Sequence, residues 1–222
     1  MKIDHTLIMA AGRGSRMMPL TDHIPKAMAK YRDTTLIATS IEKVKNFSSH
    51  IHITVGYKGA DLAKHVIEHG VSSILNTEGQ GNAWWIFNTL MRFLDEPVLV
   101  LTCDNITDLN INRLYQDYQQ KGSPACMVIP VAPVEGLEGD YIFHNNYVVT
   151  ELNRNKPNDA YCSGIQILNP VKIRAAMNPC DDFYTLWQNL IAKNQLYCSV
   201  VYPDKWFAVD TIDQLNVANL NS

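Results

Sequence analysis

The stretch from Leu7 to Lys26 constrains this chain more than any other. A short apolar run, Leu7-Ile8-Met9, stops at Ala10-Ala11; Gly12 and Gly14 follow, with Arg16 and Lys26 close behind. The apolar run reads as a buried strand. Glycines at its carboxyl end let bare backbone approach a bulky anion, because they lack Cβ and tolerate positive φ. Successive backbone N–H groups in such a turn make a concave anion site. Arg16 adds a fork that can grip phosphate in two places, and Lys26 adds a mobile point charge.

The rest of the chain alternates strand and helix. Leu36 to Phe47 has helical spacing and Ile51 to Val55 reads as a strand. Ala60 to Glu68 is a predicted helix, Val71 to Leu75 a strand, and Asn82 to Leu94 a helix stopped by Asp95-Glu96-Pro97. Val98 to Leu101 is continuously apolar, hence buried on both faces. Ile111 to Gln120 is the next helix and Ala125 to Val131 the next strand. This order predicts an α/β fold: three layers, α/β/α, around a mostly parallel, Rossmann-like central sheet. Ligands then collect beyond the carboxyl ends of the strands.

After Val131 the pattern changes. Gly136, Gly139, Asn145 and Asn146 punctuate short strand-like pieces at Tyr141 to His144, Tyr147 to Leu152 and Cys162 to Leu168. These predict a small mixed or antiparallel region. Helices Val171 to Met177 and Phe183 to Lys193, a strand Leu196 to Val201, and a helix Ile212 to Asn219 capped by Asp210 or Thr211 complete the chain. No repeat or linker divides it, so residues 1–222 read as one domain.

Composition excludes several classes of function. The net charge of −3 gives no footprint for nucleic acid or an anionic membrane. No apolar run reaches the ~20 residues of a membrane span. No charged-then-apolar leader precedes the first strand. The five cysteines are scattered without a Cys-x-x-Cys pair, which predicts reduced core thiols in a cytoplasmic protein and no zinc site.

The glycine turn is neither of the two commonest phosphate loops. A Walker loop ends in Gly-Lys-Ser/Thr, which is absent. A Rossmann fingerprint needs a small residue where Met17 stands, and an acidic residue where the next strand closes with Gly56-Tyr57. The string Ala-Ala-Gly-x-Gly-x-Arg-x-x-Pro-Leu-Thr from Ala10 to Thr21, followed by Pro25-Lys26, resembles the N-terminal signature of the nucleotidyltransferases that activate sugar phosphates and related phosphorylated small molecules. The resemblance implies the nucleotide-diphospho-sugar transferase fold, with the mixed region binding the acceptor. It implies Lys26 and Arg16 as catalytic residues and Ala10, Ala11, Gly12, Gly14 and Ser15 as the nucleotide loop.

Further segments extend the resemblance. Asp104 follows the strand Val98 to Leu101, where the family carries a metal-binding aspartate; Asp104 also suits a simple turn cap with Asn105. The family's closing motif often reads Trp-x-Asp-x-Gly-Thr. Here Trp206-Phe207-Ala208-Val209-Asp210-Thr211 puts Ala208 where that aspartate falls. Other branches read Val-Asp-Thr, so Asp210 is the second expected Mg²⁺ ligand, with helix capping as its alternative. Lys156, before Pro157, corresponds to the family's acceptor-phosphate lysine, Gly164 to its pocket glycine, and Glu151 to a residue bonding acceptor hydroxyls; a solvated loop is the plainer reading of Lys156. Between Asn76 and Trp85 the family usually shows Gly-Thr-Ala-x-Ala. Gly81-Asn82-Ala83 keeps that frame with an asparagine in the middle, as in the phosphocholine cytidylyltransferase branch. Asn76, Gly81, Asn82 and Asp104 are therefore expected at the nucleotide. Asn82 can equally cap the helix, and of Trp84 and Trp85 only one can face the core fully.

The implied reaction is Mg²⁺-dependent transfer of a nucleotidyl group from a nucleoside triphosphate to a phosphorylated acceptor, first of all a sugar-1-phosphate, by a monomer or homodimer. A CTP-dependent enzyme acting on a phosphorylated alcohol or amine such as phosphocholine, and a catalytically silent nucleotide-binding module, are the alternatives.

Overall fold

The computed structural model describes residues 3–134 and 139–220, so Gly136, expected at a turn, lies outside the described residues. Its strands are β1 His5–Met9, β2 Lys30–Tyr31, β3 Thr34–Thr35, β4 His50–Val55, β5 Ser73–Asn76, β6 Val98–Thr102, β7 Asn105–Asp108, β8 Cys126–Val131, β9 Tyr141–Asn145, β10 Val148–Asn153, β11 Tyr161–Leu168, β12 Leu196–Cys198 and β13 Lys205–Ala208. Its α-helices are α1 Leu20–His23, α2 Leu36–Lys45, α3 Gly59–Glu68, α4 Trp84–Asn88, α5 Ile111–Gln120, α6 Pro170–Ala176, α7 Phe183–Ile191 and α8 Ile212–Leu220.

A nine-stranded sheet in the order β5-β4-β1-β6-β11-β8-β12-β10-β9 organises the chain. Strands β5, β4, β1 and β6 pair in parallel. Beyond them β11 lies antiparallel to both β6 and β8, β12 runs parallel to β8, and β10 lies antiparallel to β12 and β9. Strands β11 and β10 thus run against a common direction. The sheet is mostly parallel, as predicted. The mixed region is its far half, not a separate layer.

Alternation along the strands explains the three layers. Ile8, Leu99, Leu101, Met127 and Ile129 pack with α2, α3 and α5 through Ile37, Ile41, Leu62, Val66, Leu114 and Tyr118. Their neighbours Leu7, Val98, Val100, Cys126 and Val128 point to the other face, against Trp85, Ile86, Ile173, Leu186 and Leu190 of α4, α6 and α7. A third cluster, Met17, Ala29, Tyr31, Leu36, Val209, Leu215 and Ala218, ties the glycine turn to α8. Side-chain caps start the helices where the sequence offers them. Thr35, Asn110, Asn169 and Asp182 accept from Ala38, Arg113, Lys172 and Thr185 backbone N–H groups.

Three local expectations need correction. The helix drawn over Asn82 to Leu94 is broken. It runs as α4 and then a 3-10 turn, Leu90–Phe93. Thr89 is extended (φ −114°, ψ 178°), donates to the Trp85 carbonyl and accepts from the Met91 N–H, so it ends one helix and starts the next. The strand drawn to Val201 stops at Cys198, because buried Asp117 takes the Ser199 hydroxyl (2.6 Å) and the Val200 N–H (3.1 Å). The sequence assigns no strand to Asn105–Asp108 or Lys205–Ala208, the segments beside Asp104 and Asp210. They instead form a small ribbon of β7 and β13, with Ala208 opposite Asn105.

Candidate active site

The glycine turn leaves β1 at the carboxyl edge of the sheet. Gly14 adopts φ +67°, and a Cβ there would come within 2.7 Å of Lys26 Cβ. Its bare backbone therefore does two things: it takes the left-handed turn, and it lets the Lys26 stem pass. Thr21 locks the turn by donating to the Gly14 carbonyl at 3.0 Å. Gly12 faces open space. At the neighbouring strand Gly56 approaches so closely that a Cβ would meet the Ala11 carbonyl at 2.6 Å, and the Tyr57 N–H bonds that carbonyl.

The ribbon of β7 and β13 brings the two aspartates together. Asp104 precedes β7, and the Val209 N–H donates to the Asp104 carbonyl at 3.0 Å. That bond extends the ribbon's register by one residue and delivers Asp210 beside Asp104. Helix α8 does not need Asp210 as its cap. Thr211 Oγ1 accepts from the Gln214 N–H while Gln214 Oε1 accepts from the Thr211 and Asp210 N–H groups, a reciprocal capping box.

Lys26 stands between the carboxylates. Its Nζ lies 2.5 Å from Asp104 Oδ2 and 2.8 Å from Asp210 Oδ1, and Arg16 Nη2 reaches the same Asp210 oxygen at 2.9 Å. The residue is only 8% exposed. Burial pulls its pKa down, but the Asp104 charge and hydrogen bond, with the Asp210 bond, outweigh burial and hold it above the usual lysine value. Next to it, burial pushes the Cys103 thiol up to about 12, so that sulfur is no nucleophile.

Two clefts open on this cluster. One, about 480 Å³, is walled by Ala10, Ala11, Gly12, Gly14, Ser15, Arg16 and Lys26 at one end, and by Thr54, Thr77, Gly79, Gln80, Gly81 and Trp85 at the other. Arg16 and Lys26 bring positive charge to the first end, where Asp104 and Asp210 pair with them, while the second carries no charged side chain. The other cleft, about 750 Å³, is walled by Phe183, Tyr184, Trp187 and Trp206 together with Asn153, Arg154, Asn155, Ser163, Gly164 and Gln166. Met9, Asn82, Thr102, Asp104 and Asp210 border both. A molecule in each cleft would meet the other at the aspartates.

Most residues expected at the site stand there: Ala10, Ala11, Gly12, Gly14, Ser15, Arg16, Lys26, Gly81, Asn82, Asp104, Gly164 and Asp210 all line one or both clefts. Three do not. Asn76 closes a turn by accepting from the Glu78 N–H. Glu151 and Lys156 pair with each other at 3.4 Å, with the Lys156 ammonium over the Phe143 ring. Leu152 and Asn153 line the larger cleft, and Glu151 stands behind them, its Oε1 accepting from Asn153 Nδ2 at 2.8 Å. Asn82 does not cap α4, whose cap position is Ala83; its Oδ1 accepts from the Phe183 N–H at 2.8 Å and pins α7 to the shared wall. Of the two tryptophans, Trp85 is buried, and its Nε1 has no hydrogen-bond partner among the described residues. The aromatic walls and Arg154 were missed, since no motif marks them. The Phe183, Tyr184 and Trp187 spacing along one helix was their visible signal.

Mg²⁺ takes one or two protein carboxylates and fills its other positions with phosphates and water. Asp104 and Asp210 suit that role: Lys26 engages one oxygen of each, Arg16 shares the one on Asp210, and the other oxygen of each has no side-chain cation beside it among the described residues. No cluster of three or more metal-ligating side chains occurs among the described residues, so a metal held here would rely on ligand phosphates.

A glycine turn at the carboxyl edge of the sheet, a buried lysine between two aspartates and two clefts that meet at those aspartates define a two-part site. The family profile described as nucleotidyl transferase matches residues 5–219, and the chain belongs to that family. It is 26% identical over 220 residues to mannose-1-phosphate guanyltransferase of Pichia angusta, covering 91% of this chain and 60% of that one. It is also 26% identical over 108 residues to the bifunctional protein GlmU of Methanococcus maripaludis, covering 49% and 26%. The chain thus spans between about a quarter and three-fifths of the length of these curated relatives. In fold it is similar to a putative glucose-1-phosphate thymidylyltransferase from Bacillus anthracis, with a TM-score of 0.80 and 18% identity over 98% of this chain and 94% of that one. It is similar too to CTP:phosphocholine cytidylyltransferase from Streptococcus pneumoniae, with a TM-score of 0.77 and 19% identity over 100% and 99%.

Proposed function

We propose that this protein transfers a nucleotidyl group from a nucleoside triphosphate to a sugar-1-phosphate, releasing pyrophosphate. The observation that carries the reading is the shared wall: the smaller and the larger cleft meet at Asp104 and Asp210, the two carboxylates that Lys26 bridges from the smaller cleft. The triphosphate lies with its phosphates against the glycine turn and Arg16, and its base toward Thr77 and Gly79 to Asn82. The acceptor lies in the larger cleft with its phosphate toward the aspartates.

An oxygen of the acceptor phosphate attacks the α-phosphorus in line. A new P–O bond forms there, the bond to the β-phosphate breaks, and pyrophosphate leaves with that electron pair. The nucleophile is already an anion, so no general base is required. Rate comes from positioning and from neutralising charge. Lys26, kept protonated by its two carboxylates, places its ammonium at the α-phosphate. Arg16 and the turn amides hold the outgoing phosphates. Mg²⁺ held by Asp104 and Asp210 would draw the phosphate oxygens together and neutralise their charge. Among the described residues lining the larger cleft the basic side chain is Arg154, ion-paired with Asp140 at 3.1 Å, and not Lys156, which was expected at the acceptor phosphate.

The aromatic walls of the larger cleft favour one alternative acceptor, a phosphorylated amine such as phosphocholine, whose ammonium suits an aromatic cage. Incubation with ATP, CTP, GTP, UTP and dTTP against hexose 1-phosphates and phosphocholine, read by mass spectrometry, tests both. A nucleotide-linked product with pyrophosphate supports transfer. Triphosphate binding without product from any pair contradicts it.

A further inference from the structure

Gln166 is an unusual residue to find at the floor of a cleft: polar, uncharged and 1% exposed. It stands on β11 opposite Val100 of β6 and Val128 of β8. That is deeper than Gly164, whose nearest neighbours include Thr102 at the strand end. Two partners fix its amide. Trp187 Nε1 lies 3.0 Å and Cys126 Sγ 3.2 Å from the same atom. An indole N–H can only donate, so the atom facing it must be the carbonyl oxygen. The orientation of the amide is therefore dictated by chemistry. Its NH₂ group has no protein acceptor among the described residues, and it is not sealed off as Trp85 Nε1 is.

We infer that Gln166 selects the acceptor, admitting one that presents an oxygen lone pair at the cleft floor and rejecting one that ends in a quaternary ammonium. The inference rests on the transferase reading above. The stacked rings of Phe183 and Trp187, 5.7 Å apart, do not discriminate by themselves. A flat aromatic wall suits the C–H face of a sugar and the methyl groups of a trimethylammonium alike. The fixed NH₂ does discriminate. It meets a sugar hydroxyl or ring oxygen with a hydrogen bond. Against a trimethylammonium it is left unpaired, its positive end toward a positive charge. A site built to bond a substrate oxygen rejects an analogue lacking it much more strongly than an apolar pocket rejects a wrong shape.

The test compares wild type, Gln166→Leu and Gln166→Glu, using glucose 1-phosphate, mannose 1-phosphate and phosphocholine with the preferred triphosphate. Wild type should use a hexose phosphate in preference to phosphocholine. Gln166→Leu should raise the KM for that hexose phosphate about 10- to 100-fold and leave the triphosphate KM unchanged. Gln166→Glu keeps an oxygen for Trp187 but presents a second oxygen to the cleft, so it should shift preference toward phosphocholine. Thermal melting shows that each variant is folded, and Gln166→Glu carries the test if the leucine variant is not. A wild type that prefers phosphocholine, or folded variants with unchanged acceptor preference, overturns the inference while leaving the transferase reading intact. No pyrophosphate from wild type with any pair overturns that reading itself.

Discussion

Lys26 illustrates how a few residues make this site. Burial alone pulls the pKa of this lysine down, the carboxylates beside it push it back up, and two carboxylates this close would repel without the ammonium. Lys26→Ala and Asp104→Asn should each retain the fold yet reduce pyrophosphate release roughly 10²- to 10³-fold. Circular dichroism and a coupled pyrophosphate assay separate the two effects, and near-normal turnover would remove the residue from the mechanism. Gly14 carries a stricter demand than its place in a glycine motif suggests. Gly14→Ala must adopt φ +67° and displace the Lys26 stem, which a Cβ would approach to 2.7 Å. The backbone strain alone is worth roughly 1–2 kcal/mol, so a lower melting temperature and a loss of turnover should appear together. Gly12→Ala meets open space and should melt close to wild type. Equal losses at the two positions would contradict this division of roles.

Elements were easier to read than the joins between them. The continuous apolar run of β6 and the helical spacing of α2, α3 and α5 survive because burial itself produces those patterns. The break at Thr89 escaped because one hydroxyl bonds on both sides of it, which no periodicity records. The ribbon of β7 and β13 escaped because its strands are about a hundred residues apart. It nevertheless decides where Asp210 goes. Glu151 was expected in the acceptor site from its place in a motif, yet its carboxylate is taken up by Asn153 and Lys156 outside the cleft lining, which only the folded arrangement reveals. Thr211 and Asp210 are now separable. Thr211→Ala removes the α8 cap and should cost about 1 kcal/mol of stability with turnover kept, whereas Asp210→Asn should do the reverse. At the opposite end of the sheet, His5, His50 and His52 stack across β1 and β4 at centroid distances of 4.7 and 5.3 Å. Burial first, then the charges of His5 and His50, lowers the His52 pKa to about 4. Unfolded, His52 takes a proton near 6.5, so between these values the unfolded chain binds more protons. Stability is therefore full above pH 6.5 and falls as pH drops toward 4. Urea titrations across that range should show the loss, and His52→Gln should flatten it. An unchanged slope in that variant would assign the acid loss elsewhere.

The whole molecule is a single sheet doing two jobs. Its parallel half, β5-β4-β1-β6, ends in the turn and loops that wall the smaller cleft. Its mixed half, from β11 outward, walls the larger one. β11, antiparallel to both β6 and β8, stands where the two halves meet, and its Gly164 and Gln166 line the larger cleft. Asp104 leaves β6 at that boundary, and β13 returns from the far end of the chain to set Asp210 against it. Charge follows the same plan: a chain of net charge −3 gathers Arg16 and Lys26 at one end of one cleft. In the proposed reaction a triphosphate and a phosphorylated acceptor approach from two clefts and touch beside Asp104 and Asp210, the carboxylates that Lys26 bridges. A crystal structure with Mg²⁺ and a non-hydrolysable triphosphate tests it most directly. The account predicts the α-phosphate at Lys26, the metal on both aspartates and the base toward Gly79 to Asn82. A triphosphate seated in the aromatic cleft, or a metal bound away from both carboxylates, would contradict it.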